Sequence, residues 1–465
     1  MPEPVPPSRR IYANRTLNLR SIKAIGYDMD YTLAHYHADA WERRAYRYTR
    51  DALAARGWRV DHLEFDPLRV IRGLTIDLAL GNLVKPTRFG YVIRASHGTR
   101  FLEFDELRQT YAGTVIDLSE ERYVFLNTLF SLSEALLFAQ LVDELDAGNL
   151  PHGISYADVY EAVRSSLDDA HMEGALKGEI IADPDRFVVD DPELPATLLD
   201  QKHAGKQLLL ITNSEWAYTR RMMPLVVDPH LPGDTTWRDL FDMVVVSAAK
   251  PRFFSGRNAL FRVVDEEQGL LEPERGSIEM GRVYYGGCAS TIEAELGCEA
   301  DEILYVGDHL FADVHVSKDT LRWRTALILR ELEEEIDALE GFRDDEARLV
   351  RLMGEKEAAE HDLAEARLAR MRASDDDRAA HDERVRDLRA RLAELDDRIA
   401  PLAQAAGALG NADWGLLMRS GYDKSLFARQ VERYADVYTS RVSNFLAATP
   451  FGFLRAARSS LPHDT

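Results

Sequence analysis

Short, almost uninterrupted apolar runs recur along the chain, and each ends in polar residues. Residues 22–28 (IKAIGYD), 207–212 (QLLLIT), 243–247 (MVVVS), 303–307 (ILYVG) and 325–329 (TALIL) are too short for amphipathic helices and rich in aliphatic or β-branched side chains. Continuous rather than alternating hydrophobicity predicts strands buried on both faces. With helical stretches between them, the pattern predicts an α/β fold: a doubly wound parallel sheet covered by helices on both sides. A different pattern begins near residue 331. Val385, Leu388, Leu392, Leu395, Ile399 and Leu402 repeat at steps of three and four, a heptad seam. A weaker stripe (Leu349, Leu352, Ala359, Leu363, Ala366) precedes it, with Ser374–Asp377 as a turn between them. Residues 331–405 therefore read as an antiparallel helical hairpin. Beyond about residue 406 aromatic and apolar positions return (Trp414, Phe427, Tyr434, Tyr438, Phe445), so this tail should pack on a folded body or a subunit interface. Residues 1–10 hold four prolines and read as a loose, flexible arm.

Charge changes this picture. Lys and Arg number 57 against 79 Asp and Glu, a net charge of −22. Such a surface repels phosphate polymers and excludes broad nucleic-acid binding, while a local basic pocket can still take a small anion. The charges of the hairpin read as a solvated outer face. Two cysteines, Cys288 and Cys298, are too few for a disulfide framework and fit a reducing, cytoplasmic setting. No leader-like apolar stretch and no membrane span is expected.

The polar residues at the strand ends carry the chemistry, because ligands of open α/β sheets bind at that edge. Asp28 and Asp30 follow the first strand. One carboxylate can attack phosphorus while the other gives a proton to the leaving oxygen and later takes one from water. Thr212, Asn213 and Ser214 follow the second and suit phosphate oxygens. Lys250 follows the third and can neutralise phosphoryl charge. Gly307, Asp308 and, five residues on, Asp313 follow the fourth and can complete a site for Mg²⁺, which prefers oxygen ligands. Each piece alone is weak; four in this order form a strong constellation. His35 and His37, an HxH with no third ligand near, do not make a zinc site.

This order resembles the haloacid dehalogenase superfamily of phosphohydrolases, and within it the cytosolic purine 5′-nucleotidases that prefer IMP and GMP. The phrases that carry the resemblance are DMDYTLAHY (28–36), LNTLF (126–130), ITNSEWAYT (211–219), KPRFF (250–254), ILYVGDHLFADV (303–314) and RQVERYADVYTSRVSNFLAATPFGFLRAA (429–457). The resemblance implies that Asp28 is the nucleophile and forms an aspartyl-phosphate, and that Asp30 is the general acid/base. It implies that Thr212 and Lys250 hold the phosphoryl group. Asp28, the backbone carbonyl of Asp30 and Asp308 would bind Mg²⁺, with Asp313 supporting the metal indirectly.

Thr32 and Thr212 are 180 residues apart, far more than a crossover needs. The expected organisation is a phosphohydrolase core (11–35 and 195–330) interrupted by a cap, residues 36–194, that sets specificity. By resemblance Phe130 stacks on the purine, while Arg164, Asp168 and His171 follow on one cap helix at steps of four and three. Lys177 matches a basic residue near the phosphate. The same residues also have a plain structural reading, Phe130 as core and Arg164–Asp168 as a helix ion pair. Ser131 and Met172 depart from the Asn and Tyr of animal relatives, and Asp117 and Asp319 stand where those relatives use basic residues to bind an activating nucleotide. Weak or absent activation by ATP is therefore expected. The expected substrate is a purine nucleoside monophosphate, with a nucleoside as a second acceptor, no polymeric nucleic acid, no membrane and a homo-oligomeric assembly. A phosphatase for another phosphomonoester and a non-catalytic nucleotide-binding scaffold are the alternatives.

Overall fold

The computed structural model describes residues 5–172, 174–374 and 377–458, without the side chains of residues 168–172 and 175. It divides into two compact units, residues 1–333 with 417–465, and residues 334–416.

The first unit is organised by a ten-stranded sheet. Nine strands matter for the site: β1 (Ala24–Tyr27), β2 (His35–Tyr36), β3 (Val188–Val189), β4 (Gln207–Ile211), β5 (Met243–Val246), β6 (Val283–Gly286), β7 (Ile303–Gly307), β8 (Arg324–Ile328) and β9 (Val437–Thr439). The sheet runs β9, β8, β7, β1, β4, β5, β6 with all neighbours parallel. Antiparallel strands edge it, Tyr12–Ala13 beside β9, and Leu260–Asp265 with Leu270–Pro273 beyond β6. β1 sits centrally, with Tyr27 level with both Leu210 and Val306. The continuous apolar runs follow from two-sided burial. Ile25, Leu208, Leu210, Val244 and Val306 enter one core cluster. Their strand neighbours Ala24, Leu209, Ile211, Val245 and Tyr305 enter another.

The C-terminal stretch supplies a strand of this sheet. Asp436, just before β9, is fully buried and charge-paired to Lys318 at 2.7 Å and Arg324 at 2.8 Å. Within the expected N-terminal arm, Arg9 is held rather than loose: its guanidinium donates to Asn444 at 2.5 Å and pairs with Glu193.

Between β2 and β3 lies a long insert. It contains a five-stranded antiparallel sheet (strands between Thr75 and Phe125) and the helices α1 (Ala38–Ala55), α2 (Leu132–Asp146), α3 (Tyr156–Met172) and α4 (Ala175–Ala182). β2 and β3 pair antiparallel, Tyr36 opposite Val188, so the insert leaves and rejoins the sheet through one two-stranded neck. After β4 comes α5 (Trp216–Val227).

The second unit is the hairpin of α6 (Leu332–Arg372) and α7 (Arg378–Gly407). Its seam is the heptad pattern. Leu349, Leu352 and Ala359 pack with Leu395 and Ile399, and Leu363 and Ala366 with Val385 and Leu388. Of the expected turn, Ser374 Oγ donates to Asp377 at 2.8 Å, while Asp375 and Asp376 lie outside the described residues. α8 (Leu426–Tyr434) belongs to the first unit.

Candidate active site

Parallel strands end together, so the polar residues after β1, β4, β5 and β7 meet on one edge. Three of the loops there are tightly wound. Met29 accepts backbone hydrogen bonds from Leu33 and Ala34, and Tyr31 sits in the left-handed region at φ 53°. After β5, Ser247 and Ala249 do the same at φ 47° and 57°. Non-glycine residues in that region cost on the order of 1–3 kcal/mol each and persist where their surroundings over-determine them. Here the surroundings are explicit. Asn213 accepts from the Lys250 N–H at 2.7 Å and donates to the Lys250 carbonyl at 3.1 Å. At Gly307 an added Cβ would lie 2.4 Å from Asp313 Oδ2, so only glycine lets Asp313 lie against the end of β7.

Lys250 is the hub. Its Nζ lies 2.8 Å from Asp28 Oδ1, 2.8 Å from Asp313 Oδ1 and 3.0 Å from the Tyr305 hydroxyl, which in turn donates to the Ile211 carbonyl. Two of these contacts are ion pairs, and the one to Tyr305 is a hydrogen bond. Burial opposes its charge, yet Asp28 and Asp313 hold it protonated well above the ordinary lysine range.

The anions outnumber it. Oxygens of Asp28, Asp308 and Asp313 lie within 4.8 Å of one another, and all three residues are buried. Burial pushes the Asp28 carboxyl up to about 7, against the pull of Lys250 and with the push of Asp313. Burial, Asp313 and Asp28 raise Asp308 well above the carboxylate range. Asp28 and Asp313 pair with Lys250, while Asp308 feels Arg72 and Lys250 only as pulls weaker than burial and its two acidic neighbours. The site is short of positive charge, and a hard divalent cation with oxygen ligands fits that donor set. Thr128 of the insert donates to Asp308 at 3.3 Å.

Asp30 points to a different set of partners. Its Oδ2 accepts from Ser214 Oγ at 2.6 Å and its Oδ1 from the Tyr36 hydroxyl. Lys177, from α4, donates to Ser214 at 3.3 Å and lies 4.9 Å above the Tyr218 ring. Thr212 is fully buried, its Oγ1 accepting from the Ser214 N–H. The structure thus brings together Asp28, Asp30, Thr212, Asn213, Ser214, Lys250, Asp308, Asp313 and Lys177. Asn213 and Ser214 spend their side chains on Lys250 and Asp30, so in this state they position those groups.

On the insert, Phe130 is half-buried, edge-on to Tyr31 at 4.7 Å and to Trp41 at 5.2 Å between centroids. Arg164, on α3, donates to the Tyr160 hydroxyl at 3.3 Å and lies 3.7 Å from Glu134. Asp168 and His171 share that helix, but their side chains lie outside the described ones. His35 is buried in the neck, with burial lowering its pKa to about 3.

Reasoning from sequence missed Tyr305, Tyr36, Tyr218 and Thr128. A tyrosine inside an apolar run, such as Tyr305 in ILYVG, reads as filler. Only the fold shows that its hydroxyl meets Lys250. Tyr36 and Tyr218 lie within six residues of Asp30 and Ser214, and Thr128 two residues before Phe130; that nearness is their signal in the sequence.

Among known proteins, the family model described as 5′ nucleotidase family matches residues 11–465. 5′-Nucleotidase domain-containing protein 2 of Homo sapiens is 30% identical over 94% of this chain and 81% of its own length. Its Rattus norvegicus counterpart is 29% identical over 98% and 80%. Among solved structures, a 2-haloacid dehalogenase from Pseudomonas syringae aligns with 66% of this chain and 86% of its own at 15% identity, with a TM-score of 0.22. That overlap is too loose to carry an argument, and the fold rests on the strand order above. Among the described residues no helix is long and apolar enough to cross a membrane. The chain belongs to the 5′-nucleotidase family and is a phosphoric monoester hydrolase.

Proposed function

We propose that the protein is a Mg²⁺-dependent 5′-nucleotidase acting on purine nucleoside 5′-monophosphates of the IMP and GMP type. The observation that carries the reading is Lys250 bridging Asp28 and Asp313 beside Asp308. When bound among Asp28, Asp308 and the Asp30 carbonyl, the cation supplies charge for the phosphoryl oxygens. Asp313 supports that site from behind. Asp28 attacks phosphorus, the bond to the 5′-oxygen breaks, and Asp30 hands its proton to that oxygen, releasing the nucleoside. Asp30 then takes a proton from water, whose oxygen displaces Asp28 and releases phosphate. A nucleoside 5′-hydroxyl in place of water gives phosphotransfer. Thr212 and Lys250 hold the phosphoryl oxygens, and Lys177 adds positive charge near them.

Phe130 offers a face for a purine, and Arg164, Asp168 and His171 read its polar edge from α3. Residues 36–194 act as the cap, and the chain works as a cytoplasmic homo-oligomer, which light scattering tests. Phosphate release from IMP, GMP, AMP and CMP, with and without Mg²⁺, is the direct assay. Turnover of a sugar phosphate in preference to IMP and GMP favours the other reading, a phosphatase for a different monoester. Activation by ATP is weak or absent. This rests on Asp117 and Asp319 standing where animal relatives carry basic residues; the cavity of about 580 Å³ that Asp117 lines also carries Arg429 and Arg433, and Asp319 pairs with His315 at 3.1 Å. A large rise in rate with ATP, lost on changing Asp319, contradicts this.

A further inference from the structure

The two tyrosines in the Asp30 network have no role in the chemistry above. Tyr36 is 3% exposed and Tyr218 6%. The Tyr36 hydroxyl donates to Asp30 Oδ1, so the hydroxyl–hydroxyl contact of 3.0 Å to Tyr218 must run with Tyr218 as donor. The chain of donors is Tyr218 to Tyr36 to Asp30, and it is directional. Burial raises both phenols, with the added push of Asp30 on each, so neither gives up its proton near neutral pH. Two features set this contact apart from ordinary packing. Tyr36 stands on β2, in the neck through which the insert leaves the sheet, and the neighbouring His37 N–H donates to the Phe187 carbonyl on the returning chain at 2.8 Å. Its ring is also held independently of its hydroxyl, against Trp41 at 4.6 Å and Tyr31 at 5.2 Å between centroids. The hydroxyl is therefore delivered to one place by the neck, and removing it need not disturb the ring.

We propose that Tyr36 is a positioning residue for Asp30: its hydroxyl, braced by Tyr218, fixes the Asp30 carboxyl in the orientation from which it protonates the leaving oxygen. The inference rests on the reading of Asp30 as the general acid. Asp30 has two holders, Ser214 from the core sheet and Tyr36 from the neck. A carboxyl held at one oxygen alone, even by a buried hydroxyl such as Ser214, can still turn about its Cβ–Cγ bond, and general acid catalysis depends on that geometry.

The test uses leaving groups. A nucleoside leaves as an alkoxide and needs the proton, whereas p-nitrophenolate leaves without it. Tyr36→Phe in the full chain should lower kcat/KM about tenfold on the nucleoside monophosphate turned over fastest, about the upper value of one net hydrogen bond. KM should stay within about twofold. On p-nitrophenyl phosphate kcat/KM should stay within about twofold. Tyr218→Phe, which does not touch Asp30, should give the same pattern at about threefold. Equal losses on both esters, or no loss on the nucleotide, overturn the proposal. Asp30→Asn is the control. If that variant loses as much kcat/KM on p-nitrophenyl phosphate as on the nucleotide, the general-acid reading itself falls, because kcat/KM excludes the later step in which Asp30 takes a proton from water. If it discriminates and Tyr36→Phe does not, only the role of Tyr36 falls.

Discussion

The strand-end site and the helical hairpin are both rich in acids, and they manage them in opposite ways. Residues 334–416 hold 22 acidic and 13 basic residues, a net of −9 within the chain's −22. Among the described residues most of these charges are exposed, and ion pairs among them, such as Arg343–Glu340 and Lys356–Glu360, lie at the surface. Water screens them, and each such pair is worth about 0–1 kcal/mol. The hairpin is held by its apolar seam. In the site, Asp28, Asp308 and Asp313 are at most 8% exposed, and Asp28 and Asp313 share one ammonium. Water cannot relieve them, so their charge must be met by protons or a cation. The same residue type is a solubility device in one region and a chemical demand in the other.

This contrast can be broken at several points. Asp28→Asn removes the nucleophile and should lower kcat by at least about 10⁴-fold with the fold intact by circular dichroism; substantial residual hydrolysis removes Asp28 from that role. In the hairpin, Leu395→Ala should cost about 2–5 kcal/mol of that unit's stability, read as a separate early melting step, because Leu395 is 2% exposed in the seam. Its kcat should stay within about twofold. Phe130→Ala should raise KM for IMP about tenfold, the loss of one stacked ring, with little change for p-nitrophenyl phosphate. Unaffected IMP turnover would end the stacking idea.

A smaller effect comes from pH. The Asp28 carboxyl is raised to about 7 in the cation-free fold, so its neutral form is favoured there. That contribution to stability is fully present below about pH 4 and is lost as pH rises through about 7. The melting temperature without Mg²⁺ should therefore fall between pH 5 and pH 8. Mg²⁺ should return at least about 2 °C more at pH 8 than at pH 5. Equal gains at both pH values would show that the acids are not competing with protons for the cation. Least of all, Glu340→Gln on the hairpin should change stability by less than about 0.5 kcal/mol.

How legible the molecule was in its sequence varied with the physics involved. Apolar runs such as QLLLIT and ILYVG announce strands buried on two faces, because a polar residue anywhere within them would be stranded. The edge strands Leu260–Asp265 and Leu270–Pro273 were not seen, since the second is exposed throughout and carries no such constraint. The hairpin was legible to within a few residues, because its seam is made by neighbours three and four apart. β9 was anticipated only as packing tail. Its place beside β8 depends on Asp436 meeting Lys318 and Arg324, more than a hundred residues earlier.

The identities of Asp28, Asp30, Lys250, Asp308 and Asp313, and their position after apolar strands, are properties of the sequence alone. They suffice to point at phosphoryl chemistry, because parallel strands must end on one edge. Which atoms meet there is a tertiary matter. That Lys250 answers to Asp28, Asp313 and Tyr305, that Asn213 serves the Lys250 backbone, and that Tyr36 and Tyr218 reach Asp30 depend on loops from distant segments closing to about 3 Å. Sequence spacing carries local geometry faithfully over a turn of helix or a strand. Contacts between segments a hundred or more residues apart exist only once the sheet has brought them together.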